Sequence, residues 1–235
     1  IRLFRDPYVR ASLKNTVVFT VITVPLQTAG SLVLAAVIAE LFHNKFGNFV
    51  KSSLFVPVIA SAILVGTLWF TLLSPRGVVN SIIHAFGLPS VNWLGGKLTS
   101  MLSVCIVSVW KNVGYFLVIY FAGIMDIPRS LYEAAEVDGA NAFQRFFKIT
   151  LPGLSSVTFL VVTLGTIWSF QVFDLVYTMT GGGPGTSTVT LVLTTYNAAF
   201  KEYNMGYASA VAMLMFVFVL AVSGLQKLLL KGGED

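Results

Sequence analysis

Residues Ser130 to Pro152 have the sequence SLYEAAEVDGANAFQRFFKITLP, the longest polar-bearing segment between apolar stretches of this chain. With Asp126 just before it, the segment holds four of the ten acidic residues. The sequence on either side is strongly apolar. This segment, which we call the central loop, is therefore the feature around which the apolar stretches are organised.

The composition of the whole chain indicates a membrane protein. Of its 235 residues, 56% are hydrophobic and only 11% are charged, and the mean hydropathy is +0.82. Soluble domains carry about 25% charged residues, so a soluble fold of this length would be unable to cover its surface with charge. The net charge of +5 is spread along the chain without a basic block, which disfavours a nucleic-acid-binding function.

Five apolar stretches are long enough to cross a bilayer as helices, which takes roughly 20 residues each. They cover Thr16 to Ala39, Ser53 to Leu73, Leu98 to Met125, Ser155 to Thr178 and Gly206 to Leu228. The sequence thus predicts an all-α polytopic membrane protein whose two ends lie on opposite sides. Basic residues divide evenly between the two sets of connecting loops, so the positive-inside rule does not orient the chain.

The central loop contains two helix signals separated by a glycine. Ser130 and Glu133 fit a capping box, which predicts a helix over Leu131 to Asp138 that ends at Gly139. Asn141 and Gln144 repeat this spacing before a second helix over Ala142 to Thr150, and Pro152 fits the first turn of the next span. Such short helices are marginal in water. The residues alone leave two alternatives, a helix lying on lipid and a helix that docks on a partner protein.

The spacing Glu133-Ala134-Ala135, Gly139, Ile149, Leu151-Pro152 resembles the EAA loop of binding-protein-dependent ABC importer permeases. Further segments resemble the carbohydrate-uptake type of that family; they are Asn15-Thr16, Val109 to Lys111, Phe170 to Asp174, Thr180 to Thr188 and Gly206 to Ala210. The resemblance implies a type I importer fold forming one transmembrane domain over residues 1–235. It also implies that a sixth span precedes Ile1.

Several partners are implied by this resemblance. The assembly would contain two ATPase subunits, which carry the ATP and Mg. An ATPase subunit would dock on a cytoplasmic central loop at Glu133, Ala134, Ala135, Asp138, Gly139, Ile149, Leu151 and Pro152. A second permease subunit of different sequence and an extracytoplasmic solute-binding protein complete the expected assembly, in the cytoplasmic membrane of a prokaryote. The chain itself is expected to be a transport subunit for a sugar or related solute, with no enzymatic activity and no bound cofactor or metal.

The segment TGGGPGTST, Thr180 to Thr188, is the glycine-rich start of the connection between the fourth and fifth apolar stretches, and we call it the glycine loop. It lacks the lysine that a P-loop places on the phosphates, so it is not an ATP site. We interpret it as an external loop that contacts the solute-binding protein, as in the family, through Gly182, Gly183 and Pro184.

Two charges lie inside apolar stretches, Lys111 in the third and Asp174 near the end of the fourth. A charge near the bilayer centre costs at least about 2.5 kcal/mol on insertion scales, so such residues usually face a cavity or a partner. One interpretation is a solute path formed with neighbouring polar and aromatic side chains, Trp110, Phe170, Gln171 and Tyr177. The alternative is a structural role, with Lys111 snorkelling or pairing across helices and Asp174 at the interface.

Two other classes remain as alternatives at this point. A gradient-driven secondary transporter would use Lys111 and Asp174 in coupling, although the inverted repeats common in such carriers are not found. A passive channel subunit is the third class.

Overall fold

The computed structural model describes residues 2–41 and 45–230, and these residues form helices and connecting loops without a strand. The helices before the central loop are α1 (Arg2–Arg5), α2 (Pro7–Leu41), α3 (Lys45–Ile59), α4 (Ala62–Leu72), α5 (Val78–Ala85) and α6 (Lys97–Asp126). Those from the central loop onward are α7 (Arg129–Val137), α8 (Ala142–Arg145), α9 (Leu151–Gly153), α10 (Ser155–Phe170), α11 (Asp174–Met179), α12 (Leu191–Tyr196) and α13 (Met205–Leu230). Two π-helical turns occur at Phe146–Thr150 and Asn197–Lys201.

The helices confirm an all-α polytopic membrane fold. Within the described residues, α2, α6 and α13 are each long and apolar enough to cross a membrane. Two bent helix pairs bring the number of spans to as many as five. They are Phe49–Ile59 with Ala62–Leu72, and Ala142–Gly153 with Ser155–Phe170. The first, third and fifth predicted spans are thus single helices, whereas the second and fourth are not.

The second and fourth spans differ from their predicted extents because each is broken. The helix over the second span stops at Ile59, and Ser61 is extended, with a ψ of 133°, before α4 begins. The helix of the fourth span, α10, ends at Phe170, eight residues before the predicted end at Thr178, and α11 follows as a separate helix. At this second break the Thr190 hydroxyl donates to the Val172 carbonyl over 3.1 Å. Thr190, which caps the start of α12, thus supplies a hydrogen bond where the backbone hydrogen bonds of the fourth span are interrupted.

The chain divides by its internal contacts into two compact units whose segments alternate along the sequence. The first unit comprises Ile1–Val24, Ala60–Val109 and Thr166–Ser223, and the second comprises Pro25–Ile59, Trp110–Gly165 and Gly224–Asp235. The expectation of one domain over residues 1–235 therefore remains a prediction.

Each unit has its own apolar core. The core of the first unit contains Phe19, Val65, Met101, Val104, Cys105, Val107, Leu175, Met179 and Leu193. The core of the second unit contains Leu32, Ala35, Phe116, Leu117, Tyr120, Leu154 and Val161, and the central loop packs against this second core.

Candidate functional site

The first helix of the central loop, α7, begins earlier than its capping signal predicts. Its N-cap is Pro128, which has no side chain able to accept a hydrogen bond from the first turn. Ser130 therefore lies inside the helix, and the predicted capping box of Ser130 with Glu133 is wrong. The proline ring fixes φ, which is −57°, and the ψ of 126° places Pro128 outside the helix, so that α7 begins at Arg129.

The end of α7 is as the sequence predicts. Gly139 has a φ of +76°, the left-handed conformation that ends a helix. The Ala140 amide donates to the Ala135 carbonyl over 2.8 Å, and the Gly139 amide donates to the Glu136 carbonyl over 3.0 Å. These two bonds form a Schellman motif. A Cβ at Gly139 would meet no atom within 4 Å, so the glycine is required by the backbone conformation and not by packing.

The second half of the central loop begins with the predicted capping box but does not continue as one α-helix. The Asn141 side chain accepts from the Gln144 amide, and the Gln144 side chain accepts from the Asn141 amide, each over 2.9 Å. After α8 the chain widens into the π-helical turn Phe146–Thr150, where the Leu151 amide donates to the Phe146 carbonyl. Pro152 has no amide hydrogen for the Lys148 carbonyl, which accounts for the interrupted α-helical ladder before it.

The residues expected to dock an ATPase subunit do not share one surface. Glu133, Ala134, Asp138 and Gly139 are exposed at the projecting part of α7, and no residue of α7 is fully buried. By contrast, Ile149 and Leu151 pack against the core of the second unit. These two side chains anchor the loop, while two other apolar side chains of the loop are exposed, Val137 at 88% and Phe143 at 74%.

Polar contacts connect the central loop to the end of α2. Arg145 donates from Nη2 to Glu40 Oε1 over 2.6 Å and from Nη1 to the Glu136 carboxylate. The hydrogen bond to Glu40, reinforced by the charge of Glu136, raises the pKa of Arg145 above its ordinary value. The Tyr132 and Thr150 hydroxyls lie 2.9 Å apart. Since Glu40 is 105 residues before Arg145, no local spacing in the sequence could have indicated this pair.

The Arg145–Glu40 contact also bears on the topology. It places the end of α2 beside the central loop, so these two connections lie on the same side of a membrane. The same placement follows from the family resemblance, whereas the basic residues left it open. Residues 42–44, which belong to the connection after α2, and residues 231–235 lie outside the described residues.

A cavity of about 440 Å³ lies beside these contacts. It is lined by α2 (Ala36, Ala39, Glu40), by α6 (Ile124, Met125) and by the central loop, including Tyr132, Glu133, Glu136 and Arg145. The helix α7 therefore borders a cavity that separates part of it from α2 and α6.

Lys111, one of the predicted path residues, has a structural partner. Its Nζ donates to the Val58 carbonyl over 3.3 Å. Val58 is in the last turn of α3, where carbonyls lose their helical donors. A cation at a helix C-terminus is also favoured by the helix dipole. The hydrogen bond to Val58 is therefore the cross-helix contact that the structural alternative for Lys111 describes. Trp110, its neighbour in the sequence, is 41% exposed.

The other predicted path residues all belong to the first unit and occupy different environments. The Phe170 ring is only 2% exposed, so it offers no surface to a solute in this conformation. Gln171 is exposed in the break after α10. Asp174 lies in the first turn of α11, where the helix dipole favours an acid, and not within a continuous span as predicted.

Tyr177 belongs to an aromatic cluster that sequence reasoning did not find, formed by Phe173, Tyr177, Tyr196 and Phe200. The Phe173 and Tyr177 rings are stacked with centroids 5.3 Å apart, and Tyr196 lies 5.0 Å from Phe173 and 5.5 Å from Tyr177. Phe200 packs on Tyr196 at 5.3 Å. Lys201 Nζ lies 5.8 Å and 5.9 Å from the two tyrosine rings. Phe173 and Tyr177 are four residues apart, as are Tyr196 and Phe200, and this spacing places each pair on one helical face, which is a local signal for the two halves of the cluster.

The glycine loop is folded back on the first unit. Gly182 is buried, and a Cβ on it would lie 2.8 Å from Val189 and 2.9 Å from Leu193. Gly183 and Pro184 are half-buried. The Thr180 and Thr188 hydroxyls lie 2.7 Å apart, which closes the loop. Of the three residues expected to contact a solute-binding protein, Gly182 is therefore not accessible.

The start of α2 holds the glycine loop in place. Asn15 Nδ2 donates to the Thr186 carbonyl over 2.6 Å and to the Val189 carbonyl over 3.0 Å. The Thr16 hydroxyl accepts from the Leu191 amide over 3.1 Å. The Asn15-Thr16 pair thus has a structural role that its position in the sequence did not reveal.

Comparison with known proteins finds the same architecture and related sequences. Residues 16–232 match the family described as binding-protein-dependent transport system inner membrane component. The chain is 38% identical over its full length to the probable ABC transporter permease protein YurN of Bacillus subtilis, covering 82% of that protein. It is 36% identical to the sulfoquinovosyl glycerol transport system permease protein SmoG of Agrobacterium fabrum, over 94% of this chain and 71% of that one.

Among solved structures, a bacterial ABC transporter involved in the import of the acidic polysaccharide alginate has a similar fold. The TM-score is 0.91 at 24% identity, covering all of this chain and 82% of that chain.

Proposed function

Because the chain belongs to the binding-protein-dependent transport system inner membrane component family, we propose that it is the transmembrane permease subunit of an ATP-driven importer. It moves a sugar or related polyhydroxylated solute across the cytoplasmic membrane of a prokaryote. The observation that carries the proposal is the family match over residues 16–232, which includes the whole central loop and all the described spans from Thr16 onward.

The central loop is the proposed docking site for an ATPase subunit. Its support is the exposed end of α7, where Glu133, Ala134, Asp138 and Gly139 lie together with the exposed Val137 side chain. Ala135 is half-buried on the same helix. Ile149, Leu151 and Pro152 belong to the segment that joins this surface to the second core, so their proposed contribution to docking is indirect.

ATP and Mg belong to the partner in this proposal. The sequence holds no G-x4-G-K-[ST] pattern, so the chain supplies no recognisable phosphate-binding loop of its own. The chain contributes the path, and the difference in ATPase affinity for its two conformations drives the change between them.

The external partners follow from the same family. A second permease subunit would pack against this one, and α13 supports this because only 11% of its most apolar stretch is buried within the chain. A solute-binding protein would contact the glycine loop at Gly183 and Pro184, which are partly accessible, while Gly182 holds the loop shape from inside. A related alginate transporter has been solved in complex with a periplasmic protein bound to an alginate pentasaccharide.

The solute class is supported by relatives and by the aromatic cluster. Relatives include the lactose permease protein LacF of Rhizobium radiobacter, 34% identical, and the trehalose/maltose permease protein MalF of Thermococcus litoralis, 35% identical. LacF is matched over 96% of this chain and 77% of its own length, and MalF over 88% and 69%. Sugar rings present C–H faces that stack on aromatic rings, while polar groups bond their hydroxyls. The partly exposed Tyr177 and exposed Phe200 therefore form a proposed contact surface on the solute path.

The path residues predicted from sequence enter this proposal unequally. In the first unit, Gln171 and Tyr177 present accessible surface, Asp174 lies in the first turn of α11, and the Phe170 side chain is buried. In the second unit, Trp110 is accessible, and the Lys111 amine contacts the end of α3. We propose that Gln171, Tyr177 and Trp110 contact the solute, each on its own unit, and that Phe170, Asp174 and Lys111 have a structural role beside them.

Reconstitution tests the proposed function. The chain would be purified with its co-purifying subunits, identified by mass spectrometry, and placed in proteoliposomes with the binding protein. We expect uptake of at least one of labelled lactose, maltose, trehalose or glycerol phosphate to require ATP. Uptake driven by a proton or sodium gradient without ATP would show that the importer assignment is wrong.

Substitution of the aromatic cluster tests the solute contact. Tyr177→Ala is expected to raise the half-saturating concentration for uptake about tenfold, since loss of an aromatic contact costs about 0.5–1.5 kcal/mol beyond its buried area. Tyr177→Phe keeps the ring and should stay within about twofold of wild type. Phe86→Ala is a control, because this exposed phenylalanine of the first unit lies outside the cluster. Equal effects of Tyr177→Ala and Phe86→Ala would contradict the contact.

A further inference from the structure

Arg145 stands out in the central loop because it makes two ionic contacts with separate parts of the second unit. One partner, Glu136, is on the docking helix α7, and the other, Glu40, is at the end of α2. The Arg145 side chain is 19% exposed, while those of Glu40 and Glu136 are 45% and 60% exposed. A single arginine thus connects the helix proposed to touch the ATPase with one of the membrane-crossing helices.

Close packing makes only part of this connection, through Tyr132 of α7, which packs against the second core. No residue of α7 is fully buried, and the cavity of about 440 Å³ is lined by α7 on one side and by Ala36 and Ala39 of α2 on another. Apart from Tyr132, a force applied to α7 therefore has little packed material through which to reach α2. The hydrogen-bonded contacts of Arg145 cross the same region.

Stability is a weak explanation for these contacts. Ion pairs between solvent-exposed groups add little to the free energy of unfolding, since they gain modest Coulomb energy and restrict long side chains. Arginine presents its donors in a rigid planar fork, so two carboxylates bound to different nitrogens are held at a defined separation. Once Arg145 is ordered by one carboxylate, binding the second restricts little further motion. This geometry suits a fixed spacer between two helices.

We infer that Arg145 is a positioning residue that transmits movement of α7 to the end of α2 through Glu136 and Glu40. This inference rests on the proposed function, because it requires an ATPase subunit to move α7. Docking itself is carried by the exposed end of α7, and Arg145 acts after docking. Loss of Arg145 should therefore leave the ATPase bound but uncoupled from the spans.

The test uses the assembled complex in proteoliposomes and three measurements. These are the amount of ATPase subunit that co-purifies, the basal ATPase rate, and the stimulation of that rate by solute-loaded binding protein. For Arg145→Ala we expect the first two to stay within about twofold of wild type. Stimulation should fall by about fivefold or more, the lower end of usual coupling between sites. Lys148→Ala removes an exposed positive charge of the same loop and should leave all three unchanged.

A double-mutant cycle shows whether Arg145 acts through Glu40. Glu40→Ala alone should also lower stimulation, and the double variant Glu40→Ala with Arg145→Ala should lower it no further than Arg145→Ala does, because both remove the same contact. If the double variant lowered stimulation by the product of the two single-variant effects, the inference would be overturned. So would unchanged stimulation in Arg145→Ala, or loss of the ATPase subunit from that variant.

These outcomes separate the inference from the proposed function. A wild-type complex without ATP-dependent uptake would refute the importer assignment itself. An active wild-type complex whose stimulation is unchanged by Arg145→Ala would refute only the role of Arg145.

Discussion

The central loop and the glycine loop both connect membrane-crossing helices and both depend on glycine, yet the structure uses glycine in opposite ways. Gly139 in the central loop is exposed, and a Cβ there would meet no atom within 4 Å. Gly182 in the glycine loop is buried, with Val189 and Leu193 under 3.0 Å from the position of a Cβ. Both have a positive φ, +76° and +94°.

The difference shows how each loop meets its surroundings. The central loop ends α7 and begins α8 by local hydrogen bonds, the Schellman motif at Gly139 and the capping box at Asn141, and its side chains at Glu133, Val137 and Phe143 are exposed. The glycine loop is held from a distance by Asn15 and Thr16, about 170 residues earlier in the chain. The central loop exposes most of α7, whereas the glycine loop has Gly182 in the packed interior of its unit.

The largest effect is expected from Gly182→Leu. It combines a strained backbone, costing about 1–2 kcal/mol, with overpacking against Val189 and Leu193, costing about 1–3 kcal/mol. We expect a lower midpoint of thermal unfolding for the purified permease. Gly181→Leu is the matched control, because its φ is +60° but a Cβ there meets nothing within 4 Å. Equal loss in both variants would mean that packing around Gly182 adds nothing to the cost of the strained backbone.

The next effect concerns association and not folding. Gly139→Trp is expected to abolish co-purification of the ATPase subunit, since a large ring would stand on the proposed docking surface, while its direct cost to the permease is backbone strain of about 1–2 kcal/mol. Gly139→Ala carries the strain without the bulk and should retain most of the association. An intact complex with Gly139→Trp would argue strongly against docking at this loop.

The smallest effects should come from the two asparagines that hold the loops. Asn15→Ala removes two hydrogen bonds to backbone carbonyls and should lower the free energy of unfolding by about 1–3 kcal/mol. Asn141→Ala removes one exposed helix cap, a loss of about 1 kcal/mol that remains local. Thermal unfolding of the two variants side by side measures the difference. A greater loss of unfolding free energy for Asn141→Ala than for Asn15→Ala would contradict the difference between the two loops.

Much of the fold could be predicted because it follows from local patterns. The apolar stretches, the glycine end of α7 and the capping box at Asn141 depend on residues within a few positions of each other, and the structure contains them all. The start of α7 was missed because Pro128 fixed it before Ser130 could act as a cap. The breaks after Ile59 and Phe170 were also missed, since distant groups, Lys111 and Thr190, supply hydrogen bonds there.

The candidate site was less predictable. The motif indicated which residues lie at the exposed end of α7. It did not indicate that Ile149 and Leu151 are anchored on the second core, because it does not specify which side of the loop faces that core. The aromatic cluster joins Tyr177 to Tyr196 across the glycine loop, a pairing that no helical spacing encodes.

The sequence by itself determined that this protein lives in a membrane, that it is helical, and which segment resembles a docking loop, because hydropathy and helix-ending signals act over a few residues. Only the tertiary structure decided which glycine is exposed and which is buried, that Lys111 binds a helix end, and that Arg145 joins Glu40 to Glu136. These features depend on contacts between residues far apart in the chain, and such contacts exist only once the helices have packed.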